Sequence, residues 1–138
     1  MAAMWMHANR VLRQRVLSDG VSRGLVGYFS LRHGERPLWW DARRFEPDAI
    51  GAFENVVGSD VDAIVVGSGG LTVVGETLTR LPYKAMHELV PPRKDPLPQN
   101  LEFRSSRGSL ERIPIYRAPG CVFVMYQFLL AAVRESRP

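Results

Sequence analysis

Residues 61–66 read Val-Asp-Ala-Ile-Val-Val, a short apolar run bounded by Asp60 and Gly67. Such a run suggests a strand covered on both faces, as in the middle of an α/β sheet. The expected fold class is therefore α/β, with a mixed sheet flanked by helices. The 138 residues fit one domain, since ordinary domains take roughly 100–200. A composition 46% apolar and 23% charged is that of a globular chain and not of a disordered one. A chain this long buries roughly two-thirds of its unfolded surface and needs neither disulfide nor metal to fold. Its single cysteine, Cys121, excludes an internal disulfide and a cysteine-based zinc site. The longest apolar stretch, around Cys121 to Val133, falls short of the ~18 residues of a membrane helix and contains Gln127, so no membrane span is expected.

Charge is unevenly placed. Residues 1–45 carry a net +5, residues 46–90 a net −5 and residues 91–138 a net +4. Only Lys84 and Lys94 are lysines; the other cations are arginines, which favour bidentate pairing with carboxylate or phosphate. The basic balance permits contact with nucleic acid or an anionic surface without establishing either. Residues 1–18 hold Arg10, Arg13 and Arg15 and no acid before Asp19. Met4, Met6, Val11, Leu12 and Leu17 alternate with them at roughly helical spacing. This acid-free amphipathic start has the composition of a mitochondrial transit segment, and equally that of an ordinary surface helix. It is set apart from residues 19–138, the expected α/β domain.

Within that domain, Leu25 to Leu31 is expected as a strand and His33 to Pro37 as a turn. Leu38-Trp39-Trp40 is expected to be extended, which would turn the two indoles to opposite faces and make Trp39 a candidate contact anchor. Pro47 to Val57 is expected as a helix, on the spacing of Ile50, Phe53, Val56 and Val57 and on Pro47 and Asp48 in its first turn. Leu71 to Val74 would extend the sheet. Thr77 to Leu89 is expected to be helical, kinked or delayed at Pro82. Four prolines within residues 91–98 imply an extended connector. Leu101 to Phe103 and Ile113 to Tyr116 are expected strands, with Arg104 to Gly108 a basic loop between them. The chain closes on an apolar helix from Cys121 to about Glu135.

Catalytic patterns are sparse. His7, His33 and His87 lie in separate segments, and no nucleophile elbow or zinc-binding histidine pair is present. Gly67-Ser68-Gly69-Gly70 after a strand is a weak phosphate-loop signal, lacking a P-loop lysine, and fits a tight turn better. Cys121 follows Pro119-Gly120 at an expected helix start, where a thiolate is favoured, although a small buried residue is the plainer reading. No catalytic residue, cofactor or metal site is assigned.

Three stretches resemble the small α/β family that contains the third assembly factor of mitochondrial NADH dehydrogenase (complex I) and the adipogenesis-associated α/β domain proteins. They are Trp40-Asp41 with the Pro47–Val57 segment, Val61 to Gly69, and Tyr126 to Arg134. The chain departs from the family at Gln127, where asparagine is usual, and in the longer interval holding the 91–98 connector. The resemblance implies a non-catalytic assembly factor or accessory subunit of a respiratory complex, at the matrix or the matrix side of the inner membrane. Its partners would be protein subunits, with Trp39, Tyr83, Arg104 and Arg107 as expected contacts. The alternative is a basic subunit of a mitochondrial ribonucleoprotein such as the ribosome, its arginines on RNA phosphates.

Overall fold

The computed structural model describes residues 4–45 and 47–137. Helix α1 (Met4–Val11) is followed by a two-stranded hairpin, β1 (Arg15–Val16) and β2 (Ser22–Arg23). Strands β3 (Tyr28–Ser30), β4 (Ala49–Phe53), β5 (Ile64–Gly67), β6 (Gly70–Val74) and β7 (Leu78–Pro82) pair in chain order as a five-stranded sheet. Strands β8 (Met86–Val90), β9 (Asn100–Ser105) and β10 (Leu110–Pro114) form a second sheet of three, and helix α2 (Cys121–Ser136) closes the chain. The result is a single α/β domain with an apolar C-terminal helix. All the described ladders are antiparallel, so no sheet of mixed direction forms among these residues. Sequential strands joined without a crossover helix pair in this way.

The main core lies between the two sheets and the helices. Phe53, Ile64, Val66 and Leu71 of the large sheet meet Met86, Leu101, Phe103 and Ile113. Helix α2 adds Val122, Met125, Phe128, Leu129, Ala132 and Val133, and the N-terminal segment adds Ala8 and Leu12. A fully buried phenylalanine such as Phe53 or Phe128 contributes on the order of 2–3 kcal/mol relative to exposure. The opposite face of the large sheet carries a smaller cluster: Phe45, Ala63, Val65 and Val74, with Trp39, Trp40 and Ala49 packed against them. The 61–66 run is thus covered on both faces, as its composition demands: Ile64 and Val66 face the main core, Ala63 and Val65 the smaller one.

Several expected elements take another form. Residues 47–57 are not a helix, because β4 pairs with β3 on one side and β5 on the other. The tyrosine ring of Tyr28 lies so close over Gly51 that a Cβ there would collide with it. Residues 77–89 are likewise not a helix. They form β7, a 3-10 turn at Tyr83–Ala85, and β8. Leu38 to Trp40 lies in a turn rather than a strand, closed by the Trp40 N–H donating to the Pro37 carbonyl at 3.1 Å. Of the basic 1–18 segment, residues 1–3 lie outside the described residues, Met4–Val11 is helical, and the chain then enters the hairpin. The 91–98 connector and the C-terminal helix stand where the sequence pattern puts them, whereas the strand expected over Leu25 to Leu31 is one only at Tyr28–Ser30, and those expected at Leu101 to Phe103 and Ile113 to Tyr116 run over Asn100–Ser105 and Leu110–Pro114, which places Arg104 in β9 and not in the loop.

One buried side chain ties the two sheets together. Asn55 is 5% exposed and follows β4. Its Nδ2 donates to the carbonyls of Asp62 at 2.7 Å and Pro114 at 2.8 Å. Its Oδ1 accepts the N–H of Tyr116 at 2.6 Å. The Tyr116 hydroxyl donates in turn to Asp62 Oδ2 at 2.5 Å. That hydrogen bond, ahead of partial desolvation, pushes the Tyr116 pKa up to about 12.

Candidate binding surface

The hairpin between α1 and β3 is built from local chemistry. Asp19-Gly20 supplies a reverse turn, with Gly20 at φ 83°. Asp19 Oδ1 accepts the Val21 N–H at 2.9 Å, the Gly20 N–H donates to the Leu17 carbonyl at 2.9 Å, and the Leu17 N–H donates to the Val21 carbonyl at 2.9 Å. At the base, the Leu25 N–H donates to the Leu12 carbonyl at 2.8 Å, and both of those side chains are fully buried. Gly24, at φ 100°, sits where a Cβ would strike the Arg13 carbonyl. The hairpin is therefore a finger with a fixed root.

Its surface combines apolar and cationic groups. Val16 is 72% exposed and Val21 46%. Arg15 and Arg23 are direct cross-strand partners, so two like charges stand opposite each other about 5.5 Å apart at their Cα atoms. Such a pairing is destabilising. Neither arginine has a carboxylate partner among the described residues. Behind them, Arg13 pairs with Glu35 at 3.6 Å and Arg32 lies over the Trp5 ring at 4.8 Å, so these cations are already engaged.

The four contacts expected from sequence lie apart. Trp39 is half-buried, donates from Nε1 to the buried carboxylate of Glu54 at 2.9 Å, and packs edge-on against Phe45. It therefore holds the loop 38–45 onto the sheet. Tyr83 is fully buried, which rules it out as a surface contact. Its hydroxyl donates to the Gly67 carbonyl at 2.8 Å and its ring packs edge-on to Phe128. Burial pushes its pKa well above the ordinary tyrosine value. Arg104 and Arg107 are exposed on the β9–β10 hairpin, on the second sheet. The structure does not gather these four residues into one site. The sequence pattern puts Arg15 at helical spacing in the 1–18 segment and gives Arg23, beyond that segment, no role. The Asp19-Gly20 turn flanked by valines is the signal that finds them.

The other candidate centres resolve into structural roles. Gly67 to Gly70 forms the tight β5–β6 turn, where Ser68 donates to Asp48 Oδ2 at 2.7 Å. Gly70 has no room for a Cβ beside Leu81 and Pro82. Ser30 Oγ meets His33 Nδ1 at 2.6 Å, but Ser30 is buried and Glu35 binds its N–H instead of orienting the imidazole. Cys121 is buried in the first turn of α2. Among the described residues, no cluster of His, Cys, Asp and Glu has the makings of a metal site. No helix among them is long and apolar enough to cross a membrane.

Comparison with known proteins finds no matching family model, no matching curated protein and no matching solved structure.

Proposed function

We propose that this chain is a non-catalytic protein-binding subunit, an assembly factor or accessory subunit of a larger complex, that docks through the β1–β2 finger. The observation that carries the reading is the unpartnered Arg15–Arg23 pair beside the exposed Val16 and Val21. A partner with an acidic rim beside an apolar floor relieves the repulsion between the arginines and covers Val21, which shares their face of the hairpin, while Val16 is on the opposite face. The resemblance of the Val61–Gly69 and Tyr126–Arg134 stretches supports a mitochondrial respiratory complex, complex I first, on the matrix side of the inner membrane.

The second reading is a mitochondrial ribonucleoprotein subunit. It is favoured by the same two arginines together with Arg104 and Arg107, exposed on a second hairpin. Native purification from cells separates the two. Co-migration with a respiratory complex that tolerates moderate salt and is lost in Arg23→Glu supports the first. Co-migration with ribosomal RNA, weakening steeply with salt, supports the second. A chain that migrates alone refutes both.

A further inference from the structure

Strand β8 is an edge of the smaller sheet, and a groove separates it from helix α2. The ladder phase of β9 fixes what that edge presents. The Ile115 N–H donates to the Gln99 carbonyl and the Ser105 N–H to the Ser109 carbonyl, so the odd-numbered residues of β9 bond toward β10. The even-numbered ones bond toward β8. Glu88 and Val90, opposite Arg104 and Glu102, therefore turn their backbone groups inward, and Leu89 turns its N–H and carbonyl out. One residue earlier than Glu88 the edge is closed, because an Arg137 guanidinium nitrogen donates to the His87 carbonyl at 2.9 Å.

The groove has a volume of about 290 Å³, with Leu89 on one wall and Leu130, Val133 and Arg134 on the other. Those three share one face of α2, at spacings of three and four, and Arg137 follows at its end. Arg134 is exposed, and its side chain has no ionic or hydrogen-bonded partner among the described residues. The nearby carboxylates are directed elsewhere. Glu88 stands opposite Arg104, on the face of the sheet away from the Leu89 side chain, and Glu135 lies 3.9 Å from His7 of α1. The carbonyl end of α2 adds about half a negative charge, less than the two guanidinium groups supply. The mouth is cationic over an apolar floor.

We propose that this groove binds the C-terminal end of a partner protein as a short added strand, antiparallel to β8. Such a strand runs from Val90 toward His87 and so ends at the arginines. The N–H of its last residue donates to the Leu89 carbonyl, and its terminal carboxylate accepts the Leu89 N–H. Directly paired side chains share a face, so the last side chain turns with Leu89 toward Leu130 and Val133 and must be apolar. The carboxylate is left beside Arg137 and Arg134. A chain that continued past this point would find the His87 carbonyl already taken, whereas a chain end loses nothing. The edge thus selects a terminus over an internal segment. The site shares no residue with the β1–β2 finger.

Fluorescence polarisation on the full chain tests this. The probe is a labelled hexapeptide of glycine and serine that ends in leucine with a free carboxylate. Amidating its C-terminus removes the charge alone, and ending it in glycine removes the side chain alone. Each change is expected to weaken binding at least about tenfold. Arg134→Glu and Leu130→Glu, both at exposed positions, should leave the circular dichroism spectrum unchanged and weaken the acid peptide by a similar factor. In amide-resolved NMR the acid peptide should slow hydrogen exchange at the Leu89 N–H. Equal binding of acid and amide peptides overturns the proposal. So does no binding by about 1 mM, unchanged binding in both folded variants, or a Leu89 N–H whose exchange the peptide leaves unaltered.

Discussion

Replacing the buried Asn55 with alanine removes three hydrogen bonds at once and leaves half-buried partners behind. The orphans are the Asp62 and Pro114 carbonyls and the Tyr116 N–H. A hydrogen bond contributes about 0.5–1.5 kcal/mol net, and the partners here are only partly shielded from water. Three together give a loss of about 2–4 kcal/mol. For a domain of this size each kcal/mol is roughly 3–5 °C in Tm, so a fall on the order of 10 °C is expected. The assay is urea unfolding followed by tryptophan fluorescence, with thermal unfolding by circular dichroism as a check. Asn55→Asp is the informative companion. It keeps an acceptor for Tyr116 but turns a carboxylate toward two carbonyls, so at neutral pH it should be at least as unstable as alanine. Its deficit should shrink as pH falls, because a protonated carboxyl donates to one of those carbonyls. An Asn55→Ala loss below about 0.5 kcal/mol would refute the view that this side chain ties the sheets together.

Arg23→Glu turns a repulsive cross-strand pair into an attractive one, so stability should hold or rise by roughly 0.2–1 kcal/mol while partner capture is lost. Lower stability with capture intact would contradict both halves. Tyr83→Phe keeps the ring but removes the hydroxyl's hydrogen bond to the Gly67 carbonyl, and denaturant unfolding should register a loss of about 0.5–1.5 kcal/mol. Tyr116 has its pKa raised from 10.0 to about 12, so its neutral form is the one that suits the fold. Its contribution is present below pH 10 and lost as pH rises through that window. Tyr116→Phe should flatten the alkaline limb of a stability profile, and an unaltered limb would show that the Asp62 contact contributes nothing.

Much of the architecture was legible because it rests on local pattern. The 121–135 helix repeats apolar residues at helical spacing over four turns, and four prolines leave residues 91–98 no regular alternative. The misread segments carry apolar residues at helical spacing. In 47–57, Ile50, Phe53 and Val57 sit at helical spacing, yet Ala52 and Phe53 are both fully buried, which needs cover on two faces. In 77–82, Leu78 and Leu81 sit three apart, a helical spacing, and no alternation of apolar and polar residues marks the strand. The β1–β2 finger was hidden for a related reason: arginines at helical spacing outweighed a two-residue turn signal.

The amino-acid sequence by itself determined that this is one α/β domain with a doubly covered strand and an apolar closing helix. It did so because burial and turn chemistry act within a few residues. Only the tertiary structure decided that residues 49–53 and 78–82 are strands, that Tyr83 is interior, and that Arg15 faces Arg23. Each of those outcomes depends on a partner strand or packed neighbour whose place in the chain no local spacing encodes.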